Sequence, residues 1–346
     1  MRLKHCHNFH DFRKLAKQRL PSPIFDYIDG AADDELTCRR NSRSFEECDL
    51  VPNVLKGVSH IDMSVTVMGQ KLQMPLFCSP TALQRLFHHE GERATAGAAA
   101  KFGTMFGVSS LGTVSLEELR KIYNTPQVYQ FYFHKDRALN QVMMERAKAA
   151  GVDVMMLTVD SITGGNRERD LRNGFSIPFR LTLSGMLQFA FKPMWGINYV
   201  THESFKLPQL DDHVEMSGGA LSIGRYFTEM LEPSMNWDDV AEMVKLWDGQ
   251  FCLKGVMSAE DVKKAIDIGC TGVVLSNHGG RQLDGSRSPF DHLAEVVDAV
   301  GDKIDIILDS GVQRGTHVLK ALSLGAKAVS GGRFYLFPLA AAGQPG

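Results

Sequence analysis

The chain has 346 residues, of which 44% are hydrophobic and 23% charged, and a formal net charge of −2. This composition is typical of a globular protein, and it excludes a general nucleic-acid binder, which would carry a basic arm or patch. No run of about 18 apolar residues is present, so no transmembrane helix is expected. The six cysteines lack C-x-x-C spacing, so neither a metal site nor a disulfide framework is predicted. The amino-terminal stretch lacks the apolar core of a signal peptide, and a cytoplasmic chain with reduced thiols is expected.

Residues 1–74 carry helical patterns, among them "DFRKLAKQRL", and are predicted to form an N-terminal helical extension. From residue 75, eight short apolar runs alternate with helical patterns in strict β-then-α order. The runs are "PLFCSP", "TMFGVSS", "QVYQFYF", "VDVMMLTVD", "QFCLKGV", "GVVLSNH", "IDIILDSG" and "AKAVSGG". Because strands that are apolar on both faces suit a parallel sheet covered by helices, an α/β fold of the (β/α)8 TIM-barrel type is predicted over 75–346. The whole chain, 1–346, is then one domain. A doubly wound sheet is the second choice, since "SPTALQRL" stands where that fold usually carries a Gly-rich phosphate loop.

Two segments depart from this repeat. Residues 161–235 form a long insertion after strand four, and an insertion of that length is usually functional or partly ordered on its own. Its stretch 185–205 is aromatic and weakly basic, which predicts either peripheral contact with a membrane surface or a lid or oligomer contact. After strand eight only "RFYLFPLAAAGQPG" remains. The eighth helix is therefore predicted to be truncated, or the barrel wall to be open there.

Polar side chains cluster where the predicted strands end, and TIM-barrel enzymes place their active sites at that face. These side chains belong to Ser109, Gln130, Tyr132, Thr158, Asp160, Lys254, His278, Asp309 and Arg333. The general polarity of loops explains one or two of them. It explains poorly a Lys, a His, an Asp and an Arg on four successive strands, and an active site is expected at this end of the barrel.

The ends of strands seven and eight carry a phosphate-site pattern. Gly311 follows strand seven, and Gly331, Gly332 and Arg333 end strand eight. Glycine lets backbone N–H groups approach an anion, and an arginine adds a bidentate partner. No P-loop and no G-x-G-x-x-G is present, which argues against ATP and NAD. A sugar phosphate or a flavin mononucleotide remains.

The acid–base residues are His278 and Asp160. A histidine can act as a general base near neutral pH, and a paired aspartate raises its basicity. Arg281 and Arg167 could each hold a substrate carboxylate. Lys254 leaves two alternatives open: it forms a Schiff base, as in an aldolase, or it places positive charge beside a cofactor that becomes anionic.

With these residues in view, the sequence resembles the FMN-dependent α-hydroxy-acid dehydrogenase/oxidase family, which includes L-lactate dehydrogenase, glycolate oxidase, mandelate dehydrogenase and flavocytochrome b2. The stretch "SNHGGRQLDG" matches the family signature almost letter for letter, which is a highly specific signal. Further matches run from about residue 10 to the end: "FDYIDGAADDE", "SPTA", "SSL", "QFYFHKDR", "LTVD", "LKGV", "LDSGVQRGTHVLKALSLGA" and "GGR". The resemblance implies a TIM barrel, FMN as cofactor, and oxidation of a lactate-like L-2-hydroxy acid to the 2-oxo acid.

The resemblance also implies roles, residue by residue. The implied catalytic residues are His278 as base, Asp160 as the group that stabilises its imidazolium, Tyr132, and Lys254 near the flavin N1/O2 edge. The implied substrate-binding residues are Tyr27, Leu111 and Tyr132, together with Arg167 and Arg281 on the carboxylate. The implied cofactor-binding residues are Pro80, Thr81, Ala82, Ser109, Gln130, Thr158, Lys254, Ser276, Asp309, Gly311, Arg314, Gly332 and Arg333. Gly279 and Gly280 are expected to let the chain turn close to cofactor and substrate.

Some features depart from the family pattern or refine it. Gln313 and Arg314 stand where the family commonly has two arginines, which predicts weaker phosphate binding, and the family's helical region after "LAAAG" is missing. Leu111, a medium-sized apolar residue, favours lactate or a longer acid over glycolate. The insertion resembles the membrane-associating loop of bacterial dehydrogenases. It favours a quinone over O2 as electron acceptor and a peripheral location on the inner face of the membrane. The family is often tetrameric, so a homotetramer is expected.

Three other functions remain open at this point. An O2-using 2-hydroxy-acid oxidase would produce H2O2 from the same substrate. An aldolase using Lys254 would be colourless and trappable by borohydride. A truncated, non-catalytic relative would bind flavin at most, and no 2-hydroxy acid would bleach it.

Overall fold

The computed structural model describes residues 2–173, 189, 191–210 and 229–346. The strands in this part of the chain are β1 Val65–Val67, β2 Gln70–Leu72, β3 Leu76–Cys78, β4 Phe106–Ser109, β5 Gln127–Phe131, β6 Val154–Thr158, β7 Gln250–Val256, β8 Gly272–Leu275, β9 Asp305–Leu308 and β10 Ala328–Gly331. Strands β3 to β10 are parallel and close into a barrel, in which Val329 of β10 lies opposite Leu76 of β3. The predicted TIM barrel is confirmed.

The barrel strands are apolar on both faces because both faces are covered. Every residue of β4, β5, β6, β8 and β10 is buried. Removing a Val, Leu, Ile or Phe side chain from water stabilises the fold by roughly 1.5–3 kcal/mol. This explains why continuous apolar runs, and not alternating ones, mark these strands in the sequence.

Helices follow the barrel strands and cover them. The α-helices in the described residues are Phe9–Arg19, Ser22–Asp29, Leu36–Arg43, Gln84–Phe87, Glu92–Lys101, Leu116–Ile122, Arg137–Ala149, Glu168–Arg172, Pro193–Thr201, Trp237–Trp247, Ala259–Asp267, Pro289–Val300, Gly315–Ser323 and Arg333–Ala342. Several begin at a side chain that accepts a hydrogen bond from the first turn, as Ser115, Asp136 and Ser258 do.

The hairpin of β1 and β2 closes the amino-terminal end of the barrel. Val67, Met68 and Leu72 are buried in one cluster with inward-facing barrel residues such as Val128. The Met68 N–H donates to a carboxylate oxygen of Asp305 at 2.5 Å. The helical extension predicted for 1–74 did not include this hairpin, because two three-residue strands give too short a pattern in the sequence. The hairpin thus fills the end of the barrel opposite to the carboxyl ends of its strands.

The eighth helix is present, although it is short. Arg333–Ala342 follows β10 and will be called the terminal helix. Its Phe337 ring lies 5.3 Å from that of Phe9 and 5.9 Å from that of Phe25, centroid to centroid. A helix of ten residues therefore follows β10, and the N-terminal extension packs against it.

The insertion contributes the helices Glu168–Arg172 and Pro193–Thr201, and the latter will be called the insertion helix. The parts of the 161–235 and 185–205 predictions that fall on 174–188, 190 and 211–228 lie outside the described residues. Within the described residues, no helix has both the length and the apolar character needed to span a membrane.

Candidate active site

A cavity of about 770 Å³ lies at the carboxyl ends of the barrel strands. The predicted site residues that line it are Tyr27, Pro80, Thr81, Ala82, Ser109, Leu111, Tyr132, Arg167, Lys254, His278, Arg281, Asp309, Gly311, Gly332 and Arg333. These residues come from the N-terminal extension, the insertion and seven of the eight strand ends. Loops that are far apart in sequence thus meet at one end of the barrel, as parallel strands require.

His278 and Asp160 form a hydrogen-bonded pair. His278 Nδ1 lies 3.0 Å from Asp160 Oδ1, and the Ser161 hydroxyl donates to the same carboxylate oxygen at 3.0 Å. Burial raises the pKa of Asp160, but the hydrogen bond and charge of His278 and the charge of Lys254 outweigh burial, so this pKa lies below its usual value. Burial and the Lys254 charge lower the pKa of His278, against the opposing effect of Asp160. His278 is therefore neutral at pH 7, and with Nδ1–H on Asp160 its Nε2 carries the lone pair of a base.

The two glycines after His278 serve the packing of the N-terminal extension. A Cβ on Gly280 would lie 2.6 Å from the backbone nitrogen of Cys38, and one on Gly279 would lie 2.7 Å from Nη1 of Arg333. Both glycines have positive φ angles, which suits residues without a Cβ. Gly279 also lines the cavity, so its close approach to a cofactor or substrate stays a prediction.

Two arginines flank Tyr27 at the rim of the cavity. The guanidinium of Arg281 lies 4.9 Å from the centre of the Tyr27 ring and that of Arg167 lies 5.3 Å from it. Arg281 also donates to the carbonyls of Tyr27, at 2.6 Å, and Gly30, at 3.0 Å. Burial and the charge of Arg167 lower the pKa of Arg281 to about 10, so it remains a cation at neutral pH. Two cations held this close form a site for an anion such as a carboxylate.

Tyr132 supplies a neutral hydroxyl in the same cavity. Burial and the Asp160 charge raise its pKa above the usual range, so the hydroxyl keeps its proton and can donate a hydrogen bond. Leu111 is buried and lines the cavity as well.

Lys254 is a buried cation within a polar network. Its Nζ lies 3.7 Å from Asp309 Oδ2 and 3.5 Å from the Ser276 hydroxyl, which in turn donates to Asp309 at 3.0 Å. The side chain of Lys254 is 5% exposed, so its charge acts in a medium where water screens it weakly.

The hydrogen bonds of the buried Gln130 amide indicate whether the site can hold the predicted flavin ring. Gln130 Oε1 accepts from the Ser109 hydroxyl at 3.1 Å, but Nε2 has no hydrogen-bond partner in the described part of the chain. A buried donor without a partner costs roughly 1–3 kcal/mol. A ring carbonyl of a flavin would accept from it, and the Lys254 cation would face a ring that becomes anionic. These residues fit FMN.

The predicted phosphate end is built mainly from backbone. Gly311 and Gly332 line the cavity, and Gly332 precedes the terminal helix, whose amino terminus is a ready anion site. A Cβ on Gly311 would lie 2.2 Å from the Asn41 carbonyl oxygen. The Arg333 guanidinium donates to the carbonyls of Ile28, Gly279 and Gly30 at 2.7–2.9 Å.

The structure does not bring every predicted residue into the cavity. The predicted residues that do not line the cavity include Gln130, Thr158, Ser276 and Asp160. Asp160 is hydrogen-bonded to His278, which does line it. Arg314 lines a separate groove on the outside of the barrel and not the cavity. Gln313 lines both, and it donates to the Ser42 hydroxyl at 2.9 Å.

Ser161 and Phe87 are among the lining residues that the sequence did not indicate. Ser161 bridges His278 and Asp160, and its position directly after Asp160 was the available signal. Phe87 is buried, lines the cavity and stacks on Tyr27 at 6.2 Å. Phe87 belongs to a four-residue helix, and no sequence period indicated where its ring would point.

The cavity, with a base, an anion site and a flavin-compatible wall, defines a flavin-dependent oxidoreductase of the TIM-barrel class. The sequence model of the FMN-dependent dehydrogenase family matches residues 16–346, and the chain belongs to that family. It is an FMN-dependent α-hydroxy-acid dehydrogenase/oxidase, and the aldolase alternative is excluded.

The relatives differ in whether they are named oxidases or dehydrogenases and in the 2-hydroxy acid that their names give. The chain is 40% identical to the L-lactate oxidase of Nostoc sp. over 98% of this chain and 88% of that protein. It is 38% identical to a putative L-lactate dehydrogenase of Mycobacterium tuberculosis over 97% of this chain and 80% of that protein. Among solved structures, the monotopic membrane protein (S)-mandelate dehydrogenase superposes with a TM-score of 0.92 at 35% identity, over 99% of this chain and 90% of that chain.

Proposed function

We propose that this enzyme oxidises a lactate-like L-2-hydroxy acid to the 2-oxo acid and passes the electrons to a quinone. One observation carries the proposal. The His278–Asp160 pair and the two arginines around Tyr27 line or border one cavity, so a base and a carboxylate site are available to the same small molecule.

The cavity residues bind the substrate, take up its proton and stabilise negative charge. Arg281 and Arg167 bind the substrate carboxylate, and the hydroxyls of Tyr132 and Tyr27 orient its hydroxyl group. His278 Nε2 takes a proton from the α-hydroxy acid, and Asp160 stabilises the imidazolium that forms. When bound, FMN supplies the two-electron acceptor for this oxidation. Lys254 provides positive charge where negative charge accumulates.

The substrate proposal is supported by the apolar side of the cavity. Leu111 offers a branched apolar surface of medium size, which suits a methyl group or a longer side chain. The names of two relatives, an L-lactate oxidase and a putative L-lactate dehydrogenase, agree with this choice.

The acceptor proposal is supported by the insertion helix and its surroundings. Phe191, Met194, Ile197 and Val200 are all more than half exposed. An exposed apolar stripe of this kind marks a site of membrane or protein contact. The chain would therefore be cytoplasmic and peripheral on the inner face of the membrane, close to lipid-soluble acceptors. The second candidate is an O2-using oxidase that forms H2O2, which the 40% identity to an L-lactate oxidase favours.

A homo-oligomer, expected to be a tetramer, is supported by a second exposed apolar segment. The stretch 50–63 contains no helix or strand, and its apolar residues are exposed. These residues are Leu50, Val51, Val54, Leu55, Val58, Ile61 and Met63. Contiguous apolar surface of this length is uncommon on monomers and is typical of an interface.

The test is a matrix of substrates and acceptors. L-lactate, D-lactate, glycolate and L-mandelate are each assayed with ubiquinone-1 and with O2. The proposal expects the highest kcat/KM for L-lactate with ubiquinone-1 and little H2O2. Faster turnover with O2 would favour the oxidase, and preference for glycolate would contradict the role given to Leu111.

A further inference from the structure

A second cavity of about 440 Å³ lies beside the active site. Its walls are the end of the first long helix, the segment 85–89 after β3, and the insertion helix. Its lining includes Arg19, Phe87, His88, Met194, Trp195 and Tyr199. None of the roles described above uses this cavity.

Phe87 is the wall between the two cavities. Its buried side chain lines the active-site cavity and also the second cavity. On the active-site side, its ring is stacked on Tyr27 with the centroids 6.2 Å apart. A molecule in the second cavity would therefore lie against the same aromatic side chain that borders the substrate cavity.

The insertion helix is fixed to the segment that carries Phe87. The indole N–H of Trp195 donates to the Leu86 carbonyl at 2.8 Å, and Lys192 donates to the Gln18 carbonyl at 2.6 Å. The Trp195 and Tyr199 rings are stacked, with centroids 5.1 Å apart. The second cavity thus has a defined aromatic wall, because the backbone carbonyls of two other segments hold the helix in place.

The composition of the walls indicates the chemistry of a ligand. Trp195, Tyr199 and Phe87 offer flat apolar surfaces that suit a planar ring. Arg19, His88 and His89 supply nitrogen groups on the polar side, and burial together with the His89 charge lowers the pKa of His88 to about 4, so its ring is neutral. Phe191 and Met194 are 80% and 68% exposed at the rim, where an apolar tail could leave the cavity.

We propose that this second cavity binds the quinone-type electron acceptor, with Phe87 between the quinone ring and the active site. The inference rests on the proposed function and adds the binding site of its quinone acceptor. The exchange balances: the hydroxy acid loses two electrons and two protons, and the quinone gains two electrons from reduced FMN and two protons to become the quinol. The quinone binds without displacing the 2-hydroxy acid, because each has its own cavity.

The test uses a matched pair of variants on the insertion helix. Met194 lines the second cavity, whereas Ile197, also an exposed apolar residue of the same helix, does not. Met194→Asp should slow reoxidation of the reduced enzyme by ubiquinone-1 at least fivefold, because it places a carboxylate against the ligand. Ile197→Asp should change this rate less than twofold. Ubiquinone-1 is water-soluble, so weaker membrane attachment does not enter the result.

Two further measurements separate this inference from the proposed function. Anaerobic bleaching of the flavin by L-lactate, and reoxidation by O2, should be unchanged in both variants. Equal effects of Met194→Asp and Ile197→Asp on reoxidation by ubiquinone-1 would overturn the assignment of the cavity and leave the proposed function standing. A wild-type enzyme that L-lactate bleaches but ubiquinone-1 does not reoxidise would overturn both the cavity assignment and the quinone as acceptor. Absence of bleaching in the wild-type enzyme would instead overturn the proposed function.

Discussion

Asp160 holds His278 through one carboxylate oxygen alone. Oδ1 lies 3.0 Å from His278 Nδ1, while Oδ2 is buried and has no hydrogen-bond partner among the described residues. Gly255 makes room for this carboxylate, since a Cβ there would lie 2.5 Å from Asp160 Cγ. This contact and the Ser161 hydroxyl, which donates to the same Oδ1 and lies 3.4 Å from His278 Nδ1, orient the pair, and the charge of Asp160 acts directly on the base.

The pH dependence of the reaction should report this pair. The neutral form of His278 is the active one, and its pKa is lowered from 6.5, so kcat/KM for L-lactate should rise with pH below 6.5 and be level at pH 7. Asp160 raises the pKa of His278, so Asp160→Asn should move this limb to lower pH. The same change should reduce the rate of flavin bleaching by about 10²-fold, because the imidazolium loses its counter-ion.

The control for this prediction is Asp298→Asn, at an exposed carboxylate. It should leave both the limb and the rate unchanged. A limb that moves to higher pH in Asp160→Asn would show that another group is the base.

Arg281 should be sensitive to conservative replacement. Arg281→Lys removes the planar group that donates to the carbonyls of Tyr27 and Gly30 and faces the substrate carboxylate. We expect KM for L-lactate to rise roughly 10- to 100-fold, which corresponds to about 1.4–2.8 kcal/mol. Steady-state kinetics would measure it, with Arg172→Lys as the control, since Arg172 is exposed on a neighbouring helix. Similar KM values in the two variants would contradict the carboxylate site.

FMN affinity should depend on Gln313 and not on Arg314. Gln313 lines the cavity, so Gln313→Arg should add a charge-assisted contact to the phosphate and lower the Kd of FMN about tenfold. Arg314 lines the outer groove, and Arg314→Gln should change the Kd less than twofold. Fluorescence titration of apoprotein with FMN measures both. A larger effect of Arg314→Gln would place the phosphate elsewhere.

A pair of glycine variants should show, through their thermal midpoints, how much the packing of the N-terminal extension contributes to stability. Gly280 and Gly285 have nearly equal φ angles of 76° and 78°, but a Cβ on Gly280 meets Cys38, whereas one on Gly285 has no atom within 4 Å. Both variants to Ala incur backbone strain of about 1–3 kcal/mol. Gly280→Ala should lower the thermal midpoint clearly more than Gly285→Ala, because it also displaces the extension. Equal midpoints would show that Cys38 can move away from the added Cβ with little loss of unfolding free energy.

The barrel and the polar residues at its strand ends could be predicted from local patterns, whereas residues such as Tyr27, Ala82 and Leu111 were indicated by the family resemblance alone. Strands buried on both faces give continuous apolar runs, and the residue type at a strand end is visible without knowing its neighbours. His278, Asp160 and Lys254 therefore could be placed at one face of the barrel before any contact was known.

The parts that the sequence did not predict depend on approach between distant segments. The Arg333 guanidinium donates hydrogen bonds to carbonyls from two other segments, and Phe87 lines two cavities. Neither contact produces a periodic pattern in the sequence. The β1–β2 hairpin is buried through tertiary contacts such as the one between Met68 and Asp305. Gln313 and Arg314 are adjacent in sequence and both line the outer groove, yet of the two Gln313 alone also lines the cavity.

The central claim is most directly tested by the visible spectrum of the purified holoenzyme before and after anaerobic addition of L-lactate. We predict that the flavin bands bleach with L-lactate, persist with D-lactate, and bleach far more slowly with L-lactate in His278→Gln. Flavin bands that stay oxidised with every L-2-hydroxy acid would contradict it and would favour a relative that binds flavin without catalysis.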